Sequence, residues 1–371
     1  MLTLTEISSI VVYFLFFLPY LGMAFPAYII ALLLIIIAIP ILRIKLKIFD
    51  LFFLGLYFLF FFLKIGQVGI GTGEVFLRYF FGWLLFYYYF RLTKAKIHVD
   101  RLLKIYCFCV IIEAILINTI LPPVYWKNFP DLEIATTHVS AFFGFFQRPY
   151  SVGGNASVAS TILCLMLFYI ENLRKKGVQL ITRGLEVLSG ITIILFASGV
   201  GMCIYLIYWA YKKDLFLKRR NIILLVSFIV VVLGFAIYAS TLSTSNILSK
   251  LSVTYFEFLW QFKAIQIEET VYALKHSSFW LGFDYHDNSG LLLWNDFALR
   301  DLFHSLGIGG VLFMLVFLLD KINKYNWIII IVGVLGLLHY GGIFSMSGQL
   351  IFGYALVLNS KTFSYYTKDD L

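Results

Sequence analysis

Hydrophobic residues fall in long blocks separated by polar, often basic, connections. Apolar runs lie near Ile7–Ala24, Ala27–Leu42, Ile48–Leu63, Val75–Phe90, Leu103–Leu121 and Ser157–Ile170. Further runs follow near Gly184–Ser198, Gly201–Tyr211, Ile222–Tyr238, Gly307–Leu319, Trp327–Tyr340 and Gly348–Leu358, about twelve in all. A full bilayer crossing takes about 20 apolar residues. Several runs are shorter, which suits tilted, half-depth or hairpin helices supported inside a bundle. The pattern predicts an all-α polytopic membrane protein with about 12 transmembrane helices.

The connections set an orientation. Arg43/Lys45/Lys47, Arg91/Lys94/Lys96/Arg101/Lys104, Arg174/Lys175/Lys176/Arg183, Lys212/Lys213/Lys218/Arg219/Arg220 and Lys321/Lys324 occupy alternate connections, and Lys361 and Lys368 lie in the tail. With twelve spans all of these groups fall on one side. The positive-inside rule then predicts both termini in the cytoplasm. The N-terminal stretch reads as a retained span, because no basic residue precedes Arg43 and Phe25-Pro26-Ala27 is a poor cleavage site.

On the opposite side most connections are tiny, but two are long: 122–156 and 239–306. Loops beyond about 12–15 residues are usually functional or disordered, and the second is aromatic-rich and patterned. Within it, Thr254–Leu274 places Phe258, Leu259, Phe262 and Ile265 at helical spacing with Lys263 off that stripe, an amphipathic helix expected to lie in the membrane surface. After a turn-rich break at Gly282–Gly290, a second helix is expected from about Leu291 into Gly307. It would set Asp296, Arg300 and His304 on one face. The chain thus reads as one transmembrane domain over 1–371 with two large periplasmic loops carrying amphipathic helices, a GT-C-like layout.

Composition agrees. The 371 residues are 61% hydrophobic and 13% charged, against roughly 25% charged in a soluble domain. Soluble-enzyme, disordered and disulfide-scaffold classes are excluded. The net charge of +9 is absorbed by the basic connections and calls for no nucleic acid. Cys107, Cys109, Cys164 and Cys203 all fall in apolar segments, so neither a disulfide nor a metal site is expected.

No P-loop, H-E-x-x-H or G-x-S-x-G motif occurs. Polar chemistry concentrates in the two long connections: Arg148, Lys263, Lys275, His286, Arg300 and His304, with Asp284, Asp287 and Asp296. Cations at a membrane surface suit an anionic lipid headgroup, above all a phosphate or pyrophosphate. Arginine binds phosphate oxygens bidentately and keeps its proton, and a nearby histidine can act as general base for a sugar hydroxyl. Structural explanations exist for each. Arg148 can pair with Asp131 or Glu133, and Arg300 with Asp296 one turn away. Glu74 and Arg78 can neutralise each other at the outer end of the fourth run, leaving Arg78 a secondary candidate for lipid phosphate. Glu113 has no sequence-adjacent partner and is expected to face a cavity. Trp126, Trp260, Trp280 and Trp294 read as interface anchors.

Arg148-Pro149-Tyr150-Ser151-Val152-Gly153-Gly154-Asn155, leading into a span, resembles the Arg-Pro-x-Gly type loop of O-antigen polymerases. Ser198-Gly199-Val200-Gly201 resembles the Ser-Arg-x-Gly turn of the same superfamily. His286-Asp287-Asn288-Ser289, followed by Ser305–Gly310, is similar to its His-Asn…Leu-Gly-x-x-Gly segment. The resemblance to the O-antigen polymerase (Wzy) family, related to the O-antigen ligases, covers the architecture and Arg148 to Gly310. It implies polymerisation of undecaprenyl-diphosphate-linked oligosaccharide units at the periplasmic face of the bacterial inner membrane. Arg148 and Arg300 would hold the pyrophosphate and His286 would be the base, with His304 the second choice. It further implies no cofactor and no metal, membrane lipid and a lipid-linked glycan donor and acceptor as partners, and leaves a chain-length regulator protein open as another. An O-antigen ligase, which passes the glycan to lipid A–core, is the nearest alternative. A flippase or transporter ranks lower, because no two halves match.

Overall fold

The computed structural model describes residues 3–21, 23–42, 48–120, 146–178, 183–214, 230, 234, 237–238, 240–241, 252–276, 279–282, 297–339 and 341–358. Among them are twelve α-helices and no β-strand. They are α1 (Leu4–Phe17), α2 (Ala24–Ile41), α3 (Ile48–Val68), α4 (Ile70–Thr93), α5 (Val99–Thr119) and α6 (Ala156–Arg174), then α7 (Arg183–Phe196), α8 (Gly199–Lys212), α9 (Val253–His276), α10 (Ala298–Lys321), α11 (Trp327–Gly336) and α12 (Met346–Leu356). Eleven of the expected apolar runs coincide with helices; most of Ile222–Tyr238 lies outside the described residues. Four helices, α3, α5, α6 and α10, are long and apolar enough to cross a membrane, and shorter apolar helices accompany them.

Local chemistry fixes the helix starts. Thr3 and Glu6 form a capping box on α1, and Asn155, Ser198 and Ser345 cap α6, α8 and α12 by accepting from Ser157, Gly201 and Gly348 N–H groups. The central element is α6, whose residues from Ala156 to Leu173 are all buried. Its N-terminal half is built from small residues, and these let neighbours approach closely. Gly201 of α8 lies directly against Ser160, and Gly342 lies against Thr161, with no room for a side chain at either glycine. Helix α4 packs between α2, α3 and α12, and its Phe81, Trp83 and Tyr87 rings also meet Phe313 and Phe317 of α10.

The bundle has two chemically different ends. At one, the starts of α1, α3, α5, α7 and α11 meet the ends of α4, α6, α8, α10 and α12. Thr5 donates to Thr93 O, Ile97 N–H to Tyr354 Oη, and Asn323 to Leu358 O. Several basic residues of the polar connections lie here beside acidic or aromatic partners: Arg91 with Asp50, Lys175 with Asp214, Lys212 with Glu186, and Lys176 and Lys324 over Tyr325. These described members of the basic groups lie at one end of the bundle. Arg43, Lys45, Lys47, Lys218, Arg219, Arg220, Lys361 and Lys368 lie outside the described residues.

Helix α10 begins at Ala298, inside the helix expected from about Leu291 into Gly307, and breaks at Gly307, where φ is 61° and ψ −167° and the expected span takes over; residues 291–296 lie outside the described residues. Only glycine adopts that conformation readily. The freed N–H groups of Ile308 and Gly309 donate to the Phe279 and Trp280 carbonyls, so the 279–282 turn caps the second half of the helix.

Candidate functional site

At the end opposite the basic one, the Arg148 segment is held by an intramembrane carboxylate. Glu113, 3% exposed on α5, accepts from Tyr150 N–H (2.6 Å), Ser151 N–H (2.9 Å) and Tyr20 Oη (2.9 Å). Glu113 was expected to face a cavity; instead its lone pairs are taken by backbone from a loop 37 residues away. Loop contacts of that range leave no mark on the sequence. Asn118, a turn and a half further along α5, exchanges two bonds with Gln147, its amide donating to the carbonyl (2.9 Å) and accepting from the N–H (2.8 Å). Ser151 has a positive φ of 57°, and its hydroxyl donates to Tyr106 Oη at 2.7 Å. Burial and the Glu113 charge push the Tyr150 phenol up to about 12, so Tyr150 stays neutral at any physiological pH. Arg148 is half-buried beside this anchor. Its expected alternatives, Asp131 and Glu133, lie outside the described residues.

Arg300 and His304 sit one turn apart on the first half of α10, 2% and 4% exposed. Arg300 Nε donates to Thr270 Oγ1 of α9 at 3.2 Å, and Nη1 to Asp301 Oδ1 at 3.3 Å. Nη2 is buried and has no hydrogen-bond partner. The carboxylate beside Arg300 is thus Asp301, the next residue; Asp296 and His286 lie outside the described residues. Lys64 of α3, fully buried, is a cation that the sequence reading missed. It donates to Gln67 Oε1 (2.9 Å) and Leu281 O (3.0 Å), and its field reaches His304. It lies one residue beyond the apolar third run, where a lone charge does not disturb the hydropathy pattern. The 281–282 turn it holds packs against α10 so closely that a Cβ at Gly282 would meet His304 O at 2.5 Å.

Helix α9 runs over Val253–His276, bracketing the expected Thr254–Leu274, but it turns polar residues to the protein. Gln266 and Thr270 are buried and Lys263 stands over the Phe297 ring at 4.7 Å, while Phe258 and Ile265 of the apolar stripe are exposed. Trp260 and Trp280 are exposed too, as an interface anchor requires.

Arg78 of α4 lies over the rings of Phe25 (5.0 Å) and Tyr28 (5.7 Å). The Glu74 side chain, its expected partner, is not among those described. The segment between α11 and α12 connects the three arginine-bearing regions. Leu337 and His339 carbonyls accept from Leu299 and Ala298 N–H, beside Arg300. Gly342 lies against Thr161, five residues into the helix that the Arg148 loop opens. Gln349 donates to the carbonyls of Arg78 (2.9 Å), Tyr79 (2.7 Å) and Phe344 (3.1 Å) while accepting from Tyr28 Oη (2.6 Å). Arg78, Arg148 and Arg300 therefore share one end of the bundle.

No family model, curated protein or solved structure matches the chain.

Proposed function

We propose that this chain is a multi-pass membrane glycosyltransferase that polymerises oligosaccharide units carried on undecaprenyl diphosphate, acting on the periplasmic side of a bacterial inner membrane with both termini in the cytoplasm. The observation that carries this reading is Arg300: a sealed guanidinium with one nitrogen unpartnered, one turn from a buried histidine, at the end away from the basic connections. A permanently charged group in that state is matched by an anion with several oxygens, and a diphosphate supplies them.

In the reaction the bond between the donor sugar's anomeric carbon and the diphosphate oxygen breaks, and the electron pair leaves with undecaprenyl diphosphate. An acceptor hydroxyl forms the new glycosidic bond and gives its proton to a histidine, His286 or His304. Arg300 and Arg148 steady the charge that builds on the diphosphate, and Arg78 contributes from the aromatic side. Donor and acceptor glycans and membrane lipid are the partners, with a chain-length regulator at the periplasmic loops.

Deleting the gene is expected to leave lipopolysaccharide capped by a single repeat. Wild-type chain should restore the ladder, whereas Arg148→Ala and Arg300→Ala should not despite normal membrane levels, and Arg→Lys should rescue poorly because an ammonium lacks the planar fork. Full ladders from both alanine variants would overturn the reading. Loss of all capped lipopolysaccharide on deletion would assign the chain to the ligase step instead.

A further inference from the structure

Helices α9 and the first half of α10 touch at two points: Lys263 over Phe297, and Thr270 on Arg300. Gln266 lies between them on the same face of α9, one turn from Thr270, whose hydroxyl donates to the Gln266 carbonyl oxygen of the main chain at 2.8 Å. The Gln266 side chain is 5% exposed, and its Oε1 is sealed without a hydrogen-bond partner. The same seam therefore holds a buried unpaired donor, Arg300 Nη2, and a buried unpaired acceptor, Gln266 Oε1. Buried polar atoms are nearly always paired, and these two have opposite hydrogen-bonding sense. A phosphate ester with a hydroxyl close by would accept from the guanidinium and donate to the amide oxygen.

We infer that Gln266 is the specificity residue for the sugar directly attached to the diphosphate, accepting from a ring hydroxyl of that sugar while Arg300 holds the phosphate. This deepens the proposed function and rests on it. Arg300 reads the group common to every lipid-linked donor, and Gln266 reads what is attached. Gln266 Oε1 has no hydrogen-bond partner within the protein, and burying an amide oxygen without one is destabilising. Replacing Gln266 by an apolar side chain of similar length should thus stabilise the ligand-free protein while impairing recognition of the sugar. A merely structural glutamine would behave in the opposite way.

The test uses the full chain in phosphatidylcholine nanodiscs, with two probes: bare undecaprenyl diphosphate, and undecaprenyl diphosphate carrying a single N-acetylglucosamine. Wild-type protein is expected to prefer the sugar-bearing probe by about fivefold, the effect of one neutral hydrogen bond. Gln266→Met should abolish that preference, leave the Kd for the bare probe unchanged and raise the Tm of the ligand-free protein. Arg300→Ala should weaken both probes. A preference that survives Gln266→Met, an equal loss for both probes in that variant, or no preference in wild type would each overturn the inference. Insensitivity of bare-probe binding to Arg300→Ala overturns the parent reading instead. A phosphatidylglycerol headgroup offers the same phosphate and hydroxyl; if phosphatidylglycerol nanodiscs erase the sugar preference, the seam belongs to that lipid and the assignment to the donor sugar falls.

Discussion

Glu113→Ala isolates the contribution of one carboxylate to the shape of the Arg148 loop. The substitution removes the acceptor for the N–H groups of Tyr150 and Ser151 and for the Tyr20 hydroxyl. Tyr150 and Ser151 are both 2% exposed, so their amides cannot turn to water without the loop lifting. An orphaned buried donor costs about 1–3 kcal/mol, and three donors lose their acceptor together, which gives a range of about 3–9 kcal/mol. Removing the carboxylate also relieves its own dehydration, which argues for the lower part of that range, about 3 kcal/mol. The penalty is local, because Asn118 and Tyr106 still hold Gln147 and Ser151. It should therefore appear as easier opening of residues 147–151 rather than as global unfolding. At about 1.4 kcal/mol per factor of ten, the Tyr150 and Ser151 amides should exchange with solvent deuterium about 100-fold faster in Glu113→Ala. Glu113→Gln keeps one acceptor oxygen but turns an NH2 toward a donor, so an acceleration of about tenfold is expected. Amides in the middle of α6 serve as the internal control and should not change. Unaltered exchange at 150–151 in Glu113→Ala would refute the reasoning.

Gly307→Ala forces a Cβ into a glycine-only conformation and to 2.6 Å from the Gly282 nitrogen, so a loss of about 3 kcal/mol or more is expected, read as a lower Tm in detergent. Gln349→Glu exchanges an NH2 that serves three carbonyls for a carboxylate oxygen that repels them. It should destabilise by about 3 kcal/mol and more than Gln349→Ala does, a ranking that thermal unfolding of the pair settles. Lys64→Met removes the donor to Leu281 O that pins the 281–282 turn against His304; faster exchange at the Ile308 and Gly309 amides is expected, because the turn's carbonyls cap them.

Much of the architecture was legible because span formation depends on local composition. Runs such as Leu103–Leu121 and Trp327–Tyr340 became α5 and α11. The helix into Gly307 and the span beyond it were both legible, but not how the break between them is closed: the Ile308 and Gly309 N–H groups donate to the Phe279 and Trp280 carbonyls, contacts between segments that no local pattern reports. The site was legible residue by residue but not as an assembly. Arg148, Arg300, His304 and Arg78 stand out as polar outliers, yet their placement at one end of the bundle follows from Glu113, Thr161, Gly342 and Gln349, which join segments far apart in the chain. The amphipathic stripe of α9 was correctly sensed as a helix, but its orientation was set by Thr270 bonding Arg300, a contact that no periodicity reports.

The most direct measurement of the central claim is elongation by the purified chain in nanodiscs supplied with purified undecaprenyl-diphosphate-linked repeat units, scoring glycan length and released undecaprenyl diphosphate together. The expected result is a ladder accompanied by stoichiometric release, unaffected by chelator and abolished by Arg300→Ala. Failure to release undecaprenyl diphosphate, or an undiminished ladder from the Arg300→Ala protein, would contradict it.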